Sequence, residues 1–181
     1  GLYIFYCNNA YEGERAGTRI FCDRMTAPDQ LEGHPQCVVE PTLDEEIFMR
    51  DRFRPGQHWH TIEGAFYFFH QGYHYLMYSG ACYQNPTYFI GYCTAHAPQE
   101  ADLRTLPWQK FPDAHTYLPL MKKNAFMEGM GHNSVLFDGG KCYIVYHGRD
   151  LSDAQNPVDT RCARIDEMHV GQGRLSVTPT P

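Results

Sequence analysis

The sequence lacks any apolar run approaching the ~18 residues that a membrane-crossing helix needs, so no helical span is expected. It also lacks a basic excess. Against 21 Asp and Glu there are 15 Lys and Arg, a formal charge of −6, which leaves no positive footprint for a phosphate backbone. Neither nucleic acid nor a membrane is therefore an expected partner. The seven cysteines include no C-x-x-C pair, which removes zinc-ribbon and thioredoxin-type readings. Their odd number argues against a fully paired secreted framework, and their place in apolar runs such as Lys141-Cys142-Tyr143-Ile144 makes buried core thiols the expectation. A Gly-rich phosphate loop, a G-x-S-x-G elbow and an H-E-x-x-H helix are all missing, which removes the commonest nucleotide, hydrolase and metalloprotease signatures. The start, Gly1-Leu2-Tyr3-Ile4-Phe5-Tyr6, has no initiator Met and no basic flank or cleavage site of a signal peptide. It reads as part of something longer, and location in the cell stays open.

What is present is 181 residues with 43% hydrophobic and 14% aromatic content, enough for a real core. Helical periodicity is hard to find, whereas short aromatic and β-branched runs bounded by Gly, Pro and Asn recur throughout, the pattern of an all-β fold. Three runs match one another: Tyr3-Ile4-Phe5-Tyr6, Tyr75-Leu76-Met77-Tyr78 and Tyr143-Ile144-Val145-Tyr146. The two later ones follow a glycine turn, with Ala65–Phe69 or Ser134–Phe137 ahead of it, which predicts hairpins. A third strand is predicted downstream of each hairpin, at Gly17–Cys22, Thr87–Cys93 and Thr160–Ile165. Matching tyrosines are 72 and 68 residues apart, a spacing that suits the antiparallel blades of a β-propeller. Propellers have about 4–8 blades. This chain supplies roughly two and a half, so residues 1–181 are expected to form the C-terminal part of one larger propeller, or to pair with a chain that carries the missing N-terminal blades.

Candidate chemistry gathers where inner strands begin. Glu63, in Trp59-His60-Thr61-Ile62-Glu63-Gly64-Ala65-Phe66, stands among apolar residues, a water-poor setting that suits a carboxyl for donating a proton. At the corresponding place in the next blade is His132, flanked by glycines in Gly129-Met130-Gly131-His132. Arg161 opens the last third strand with Arg164 on the opposite face, and an inward guanidinium would fork onto sugar hydroxyls or a carboxylate, or else form an ion pair between blades. Trp59 and Tyr83 add flat aromatic faces to these surroundings. His58 and His60 form a weak one-face metal pair without a third ligand, and Asp44-Glu45-Glu46 reads as a solvated acidic run.

These phrases, together with Gly72–Gly80, Pro86–Tyr92 and Gly131-His132-Asn133-Ser134 followed by Tyr143–His147, resemble glycoside hydrolase family 43 over nearly the whole chain. The resemblance implies a five-bladed β-propeller, of which this chain holds part of the third blade with the fourth and fifth. It also implies an inverting glycosidase acting on arabinose- or xylose-containing polysaccharide, of the α-L-arabinofuranosidase or β-xylosidase type. On that basis Glu63 corresponds to the general acid, although Ala65 stands where the family usually has Pro. His132 corresponds to the axial histidine that helps hold a structural, hydrated calcium ion, and Arg161 to the arginine that reaches the bound sugar. On the same reading Trp59 and Tyr83 would supply flat faces for the sugar rings, and no cofactor is implied for the chemistry itself. The family's aspartate general base and a second aspartate that tunes the acid have no counterpart here, so the chain alone is expected to be inactive. The competing expectation is a carbohydrate-binding or structural propeller without catalysis. A transglycosylating relative is a weaker third.

Overall fold

The computed structural model describes residues 1–156 and 158–181. Its regular structure is β-strand with two short 3-10 turns, at Asp44–Glu46 and Leu151–Asp153, and no α-helix among the described residues. No helix is long and apolar enough to cross a membrane. The strands form three sheets in chain order. The first contains β1 (Leu2–Ala10), β2 (Gly17–Ala27), β3 (Gln30–Leu31), β4 (Gln36–Val39), β5 (Ile47–Met49) and β6 (Trp59–His60). The second is β7 (Ile62–His70), β8 (Tyr73–Gly80), β9 (Phe89–His96) and β10 (Gln109–Lys110), and the third β11 (Met127–Asp138), β12 (Lys141–Asp150), β13 (Cys162–Val170) and β14 (Leu175–Val177). The second and third sheets are simple antiparallel meanders.

The three Tyr-x-x-Tyr runs fall in β1, β8 and β12, each paired antiparallel with the next strand, β2, β9 or β13, and both expected hairpins form. Their turns pass through consecutive left-handed residues, Gln71-Gly72 and Gly139-Gly140, the geometry whose twist matches that of the flanking strands. β13 begins at Cys162, which leaves Arg161 in the loop just before it.

The middle sheet explains the most hydrophobic stretch of the sequence. β8 is buried from His74 through Gly80 because both of its faces are covered. On one side Leu76 and Tyr78 pack with Ile20, Val39 and Phe89; on the other Tyr75 and Met77 pack with Met127, Met130, Ile144 and Tyr146. The phenol oxygens of Tyr75 and Tyr92 accept the N–H groups of Gly173 at 3.0 Å and Leu175 at 3.2 Å, tying the last turn to the middle sheet. In the third sheet β13 instead alternates between exposed and buried over Ile165–His169, and the sheet carries exposed apolar side chains, including Leu136 at 49% and Ile165 at 56%. β1 pairs only with β2, so its other edge is free among the described residues.

Two inner strands are interrupted at matching places. β7 carries one extra residue between Glu63 and Phe66, and β11 shifts register on either side of Gly131. Such bulges bend a strand and re-aim a side chain. Gly64 and His132, with φ of 64° and 53°, take the left-handed turns this requires.

The acidic run at 44–46 is not uniformly solvated. Glu46 is fully buried and meets Lys110 at 2.6 Å, while Asp44 pairs with Arg15 at 2.8 Å on the surface. All seven cysteines are free thiols; Cys22, Cys82, Cys93 and Cys142 are buried as expected, and Cys7, Cys37 and Cys162 are exposed.

Candidate functional site

The bulge in β7 delivers Glu63 to a cavity of about 340 Å³ whose wall includes Trp59, Thr61, Tyr83, Asn9 and Arg52. Glu63 is the only carboxylate in that wall among the described residues, and its side chain is 31% exposed. Its Oε1 accepts a hydrogen bond from the Tyr88 hydroxyl at 2.7 Å, and the His132 imidazole lies beside it with Nδ1 at 3.9 Å. The bulges of two neighbouring sheets thus bring Glu63 and His132 together, as the sequence spacing suggests. The His132 backbone N–H donates to Ser79 Oγ at 2.7 Å, and Ser79 is the cross-strand partner of Glu63.

Tyr88 has no role assigned by the sequence reading, yet it is the residue that holds Glu63. It is fully buried, and burial followed by the charge of Glu63 holds its phenol protonated well above the ordinary range. Two neighbours fix its ring. A Cβ at Gly131 would lie 1.8 Å from Tyr88 Cε1, so only glycine admits the ring there. On the other side the His147 imidazole stacks on it, with centroids 5.7 Å apart and planes 12° from parallel. The one sequence signal was position: Tyr88 lies at the end of the loop into β9, inside a phrase otherwise read only as a strand.

His147 is a neutral imidazole here. Burial, then the positive charge of Arg161 and His132, pulls its pKa down to about 4, and its Nδ1 is buried without a hydrogen-bond partner among the described residues. The unfolded chain takes up this proton near pH 6.5 and the folded one only near 4, so the unfolded state binds more protons between those values. The stability that the neutral ring supports is complete above about pH 6.5 and is lost as pH falls toward 4. The melting temperature of the chain is expected to drop between pH 7 and pH 5, and His147→Phe, which keeps a flat ring, is expected to reduce that drop. An undiminished drop in the variant would assign it to other groups.

Arg161 reaches the rim of the same cavity through Tyr83, over whose ring its guanidinium sits at 4.3 Å. Its Nε donates to Asp159 at 2.7 Å, so the arginine is braced within its own loop rather than between sheets. Trp59 differs from the expected flat sugar platform. It is only 4% exposed, because Tyr11, Phe53 and the Arg52 guanidinium enclose it at 5.2, 5.7 and 4.7 Å. Tyr83, 38% exposed, presents the accessible aromatic face. His60 is buried, with Nδ1 on the Ala16 carbonyl and Nε2 near Arg15, so it and His58 do not converge.

Calcium takes 6–8 oxygen ligands. Among the described residues no group of three or more His, Cys, Asp or Glu is arranged to hold a metal, and beside His132 only Glu63 offers a carboxylate. The residues present therefore do not by themselves make a calcium site. A larger cavity, about 660 Å³, lies between β4 and β10, and contains none of the residues around Glu63.

No family model and no curated protein matches the chain. Solved structures do. A thermostable family-43 glycoside hydrolase matches with a TM-score of 0.71 and 29% identity, over 99% of this chain and 55% of its own. Other structural neighbours of the chain are also described as family-43 proteins, among them an endo-arabinanase from Bacillus licheniformis. An α-L-arabinofuranosidase from Lactobacillus brevis matches with a TM-score of 0.77 and 23% identity, over 99% of this chain and 53% of its own. An endo-1,4-β-xylanase from Bacteroides thetaiotaomicron matches with a TM-score of 0.70 and 20% identity, over 98% and 54%. The chain thus has the all-β, propeller-type fold of family 43 and spans about half the length of these structures.

Proposed function

We propose that the chain is the acid-bearing C-terminal portion of an inverting family-43 glycosidase that cleaves arabinose- or xylose-containing polysaccharide. The observation that carries this reading is Glu63 itself, a half-buried carboxyl held by Tyr88 in a cavity lined by Tyr83 and rimmed by Arg161. Neighbours described as an arabinofuranosidase, a xylosidase and an exo-1,5-α-L-arabinanase point to pentose polymers as the substrate class. In this reading Glu63 protonates the leaving glycosidic oxygen, Tyr83 lies against the sugar ring, and the free N–H groups of Arg161 reach its hydroxyls. His132 borders the reacting end of the sugar.

Inversion needs a second carboxyl about 6.5–9.5 Å away with water between. Because Glu63 is the only carboxylate in the cavity wall among the described residues, the base comes from outside these residues and the chain alone binds sugar without turning it over. The exposed apolar side chains Leu136, Phe137 and Ile165 of the third sheet and the edge of β1, free among the described residues, support the same conclusion, since exposed apolar side chains grouped on one sheet and long bare edges are what natural folds cover. They fit two and a half blades of a five-bladed ring whose remaining blades come from the parent chain or from a partner. When the ring is complete, the first-formed sugar is expected to have the anomeric configuration opposite to that of the substrate, read by proton NMR within the first turnovers. A product that retains configuration overturns the mechanism; sugar binding with no product from a complete ring favours a carbohydrate-binding propeller.

A further inference from the structure

The two carboxylate oxygens of Glu63 differ. Oε1 has a donor, the Tyr88 hydroxyl at 2.7 Å, whereas Oε2 has no hydrogen-bond partner among the described residues. A fully buried phenol needs an acceptor for its proton, and Glu63 Oε1 is the acceptor Tyr88 has. The other oxygen nearby is Ser79 Oγ. It accepts the His132 N–H at 2.7 Å and makes no hydrogen bond to Tyr88 among the described residues. Gly131 and His147 keep the Tyr88 ring from swinging away.

We propose that Tyr88 is a positioning residue that reserves Oε1 of Glu63 as a hydrogen-bond acceptor, so that the transferable proton of the acid resides on Oε2. This rests on the reading of Glu63 as the general acid. As the glycosidic C–O bond breaks, its electron pair passes to the leaving oxygen, which takes the proton from Oε2. The pair of the broken O–H bond stays on the carboxylate, whose new negative charge is met by the Tyr88 O–H already aimed at Oε1. The donor therefore favours the product state of the proton transfer while leaving the reactive oxygen free.

Neutron diffraction from deuterated crystals of this chain, at a pH low enough to protonate carboxyl groups, reads the assignment directly. The expected result is one deuteron on Tyr88 Oη pointing to Oε1 and one on Oε2; a deuteron on Oε1 overturns the proposal. In the complete ring, Tyr88→Phe is expected to lower kcat toward sugar leaving groups about 10-fold with KM nearly unchanged. Incorporation of 3-fluorotyrosine at position 88, which keeps shape and donor, is expected to restore it and carries the test if the Phe variant does not fold. A loss confined to KM, or no restoration by the donor, overturns the proposal. The acid assignment fails separately: if Glu63→Gln keeps its turnover, Glu63 is not the acid, whatever the deuterons show.

Discussion

Glu63→Gln in the complete ring is expected to lower kcat/KM for natural pentose polymers by about 10²–10⁴-fold, the usual contribution of a positioned acid. The amide keeps the volume of the carboxyl, and its carbonyl oxygen can still accept from Tyr88, whose hydroxyl now stands 2.7 Å from Oε1. What the variant loses is the proton for the departing oxygen. The loss should depend on the leaving group. A nitrophenyl glycoside, whose phenolate departs without protonation, is expected to retain much of its rate, while an alkoxide leaving group cannot depart unaided. Hydrolysis rates measured over a series of leaving groups give the slope that separates these cases. Equal losses across the series would show that Glu63 binds the substrate rather than protonating it, and an undiminished rate on polymers would remove it from the chemistry altogether.

The second large effect concerns stability. Glu46 is fully buried, accepts the N–H groups of Thr42 at 2.7 Å and Leu43 at 3.0 Å, and meets Lys110 Nζ at 2.6 Å. Lys110 is itself buried, bonded to Thr42 Oγ1 at 3.0 Å and set 5.3 Å from the centre of the Tyr78 ring. Removing one member of such a pair strands the other charge out of water, which typically costs about 3–5 kcal/mol. Glu46→Ala is therefore expected to lower the unfolding free energy by about that much, with two backbone donors left unpaired as well. Replacing both Glu46 and Lys110 with Met should cost less than the single change, because no lone charge remains although the same two backbone donors stay unpaired. Urea unfolding of the single and double variants tests the pair. A single variant within about 1 kcal/mol of the parent would mean that the lysine finds water on its own.

That ion pair shows where sequence reading ends. Asp44-Glu45-Glu46 is three acids in a connection, and nothing local marks the last as buried, because its partner is 64 residues away on β10. The same limit hid Tyr88, whose meaning comes from Gly131 and His147 on a different sheet. Trp59 was read for its ring, but the neighbours that enclose it, Tyr11 and Phe53, come from separate loops. By contrast, the strands and hairpins were legible because their signals are local: aromatic runs, glycine turns and a spacing that repeats. The equivalent places of Glu63 and His132 in successive repeats were legible for the same reason, whereas the 3.9 Å approach of their side chains depends on how two sheets pack.

The extra residue in β7 has one more consequence, which concerns parity. Glu63 and Phe66 are an odd number of positions apart, and in a regular strand they would point to opposite sides. Their cross-strand partners, Ser79 and Met77, are an even number apart and share a side. The bulge reconciles the two counts by placing acid and core anchor on the same side, which is the side where Tyr88 and His132 wait. Removing Gly64 or Ala65 would leave Glu63 and Phe66 two positions apart, in step with Ser79 and Met77 and still on one side, but it would take out the bulge and with it the bend that aims the carboxyl at Tyr88 and His132. The position of the acid is thus recorded in a single surplus residue as much as in the glutamate that follows from it.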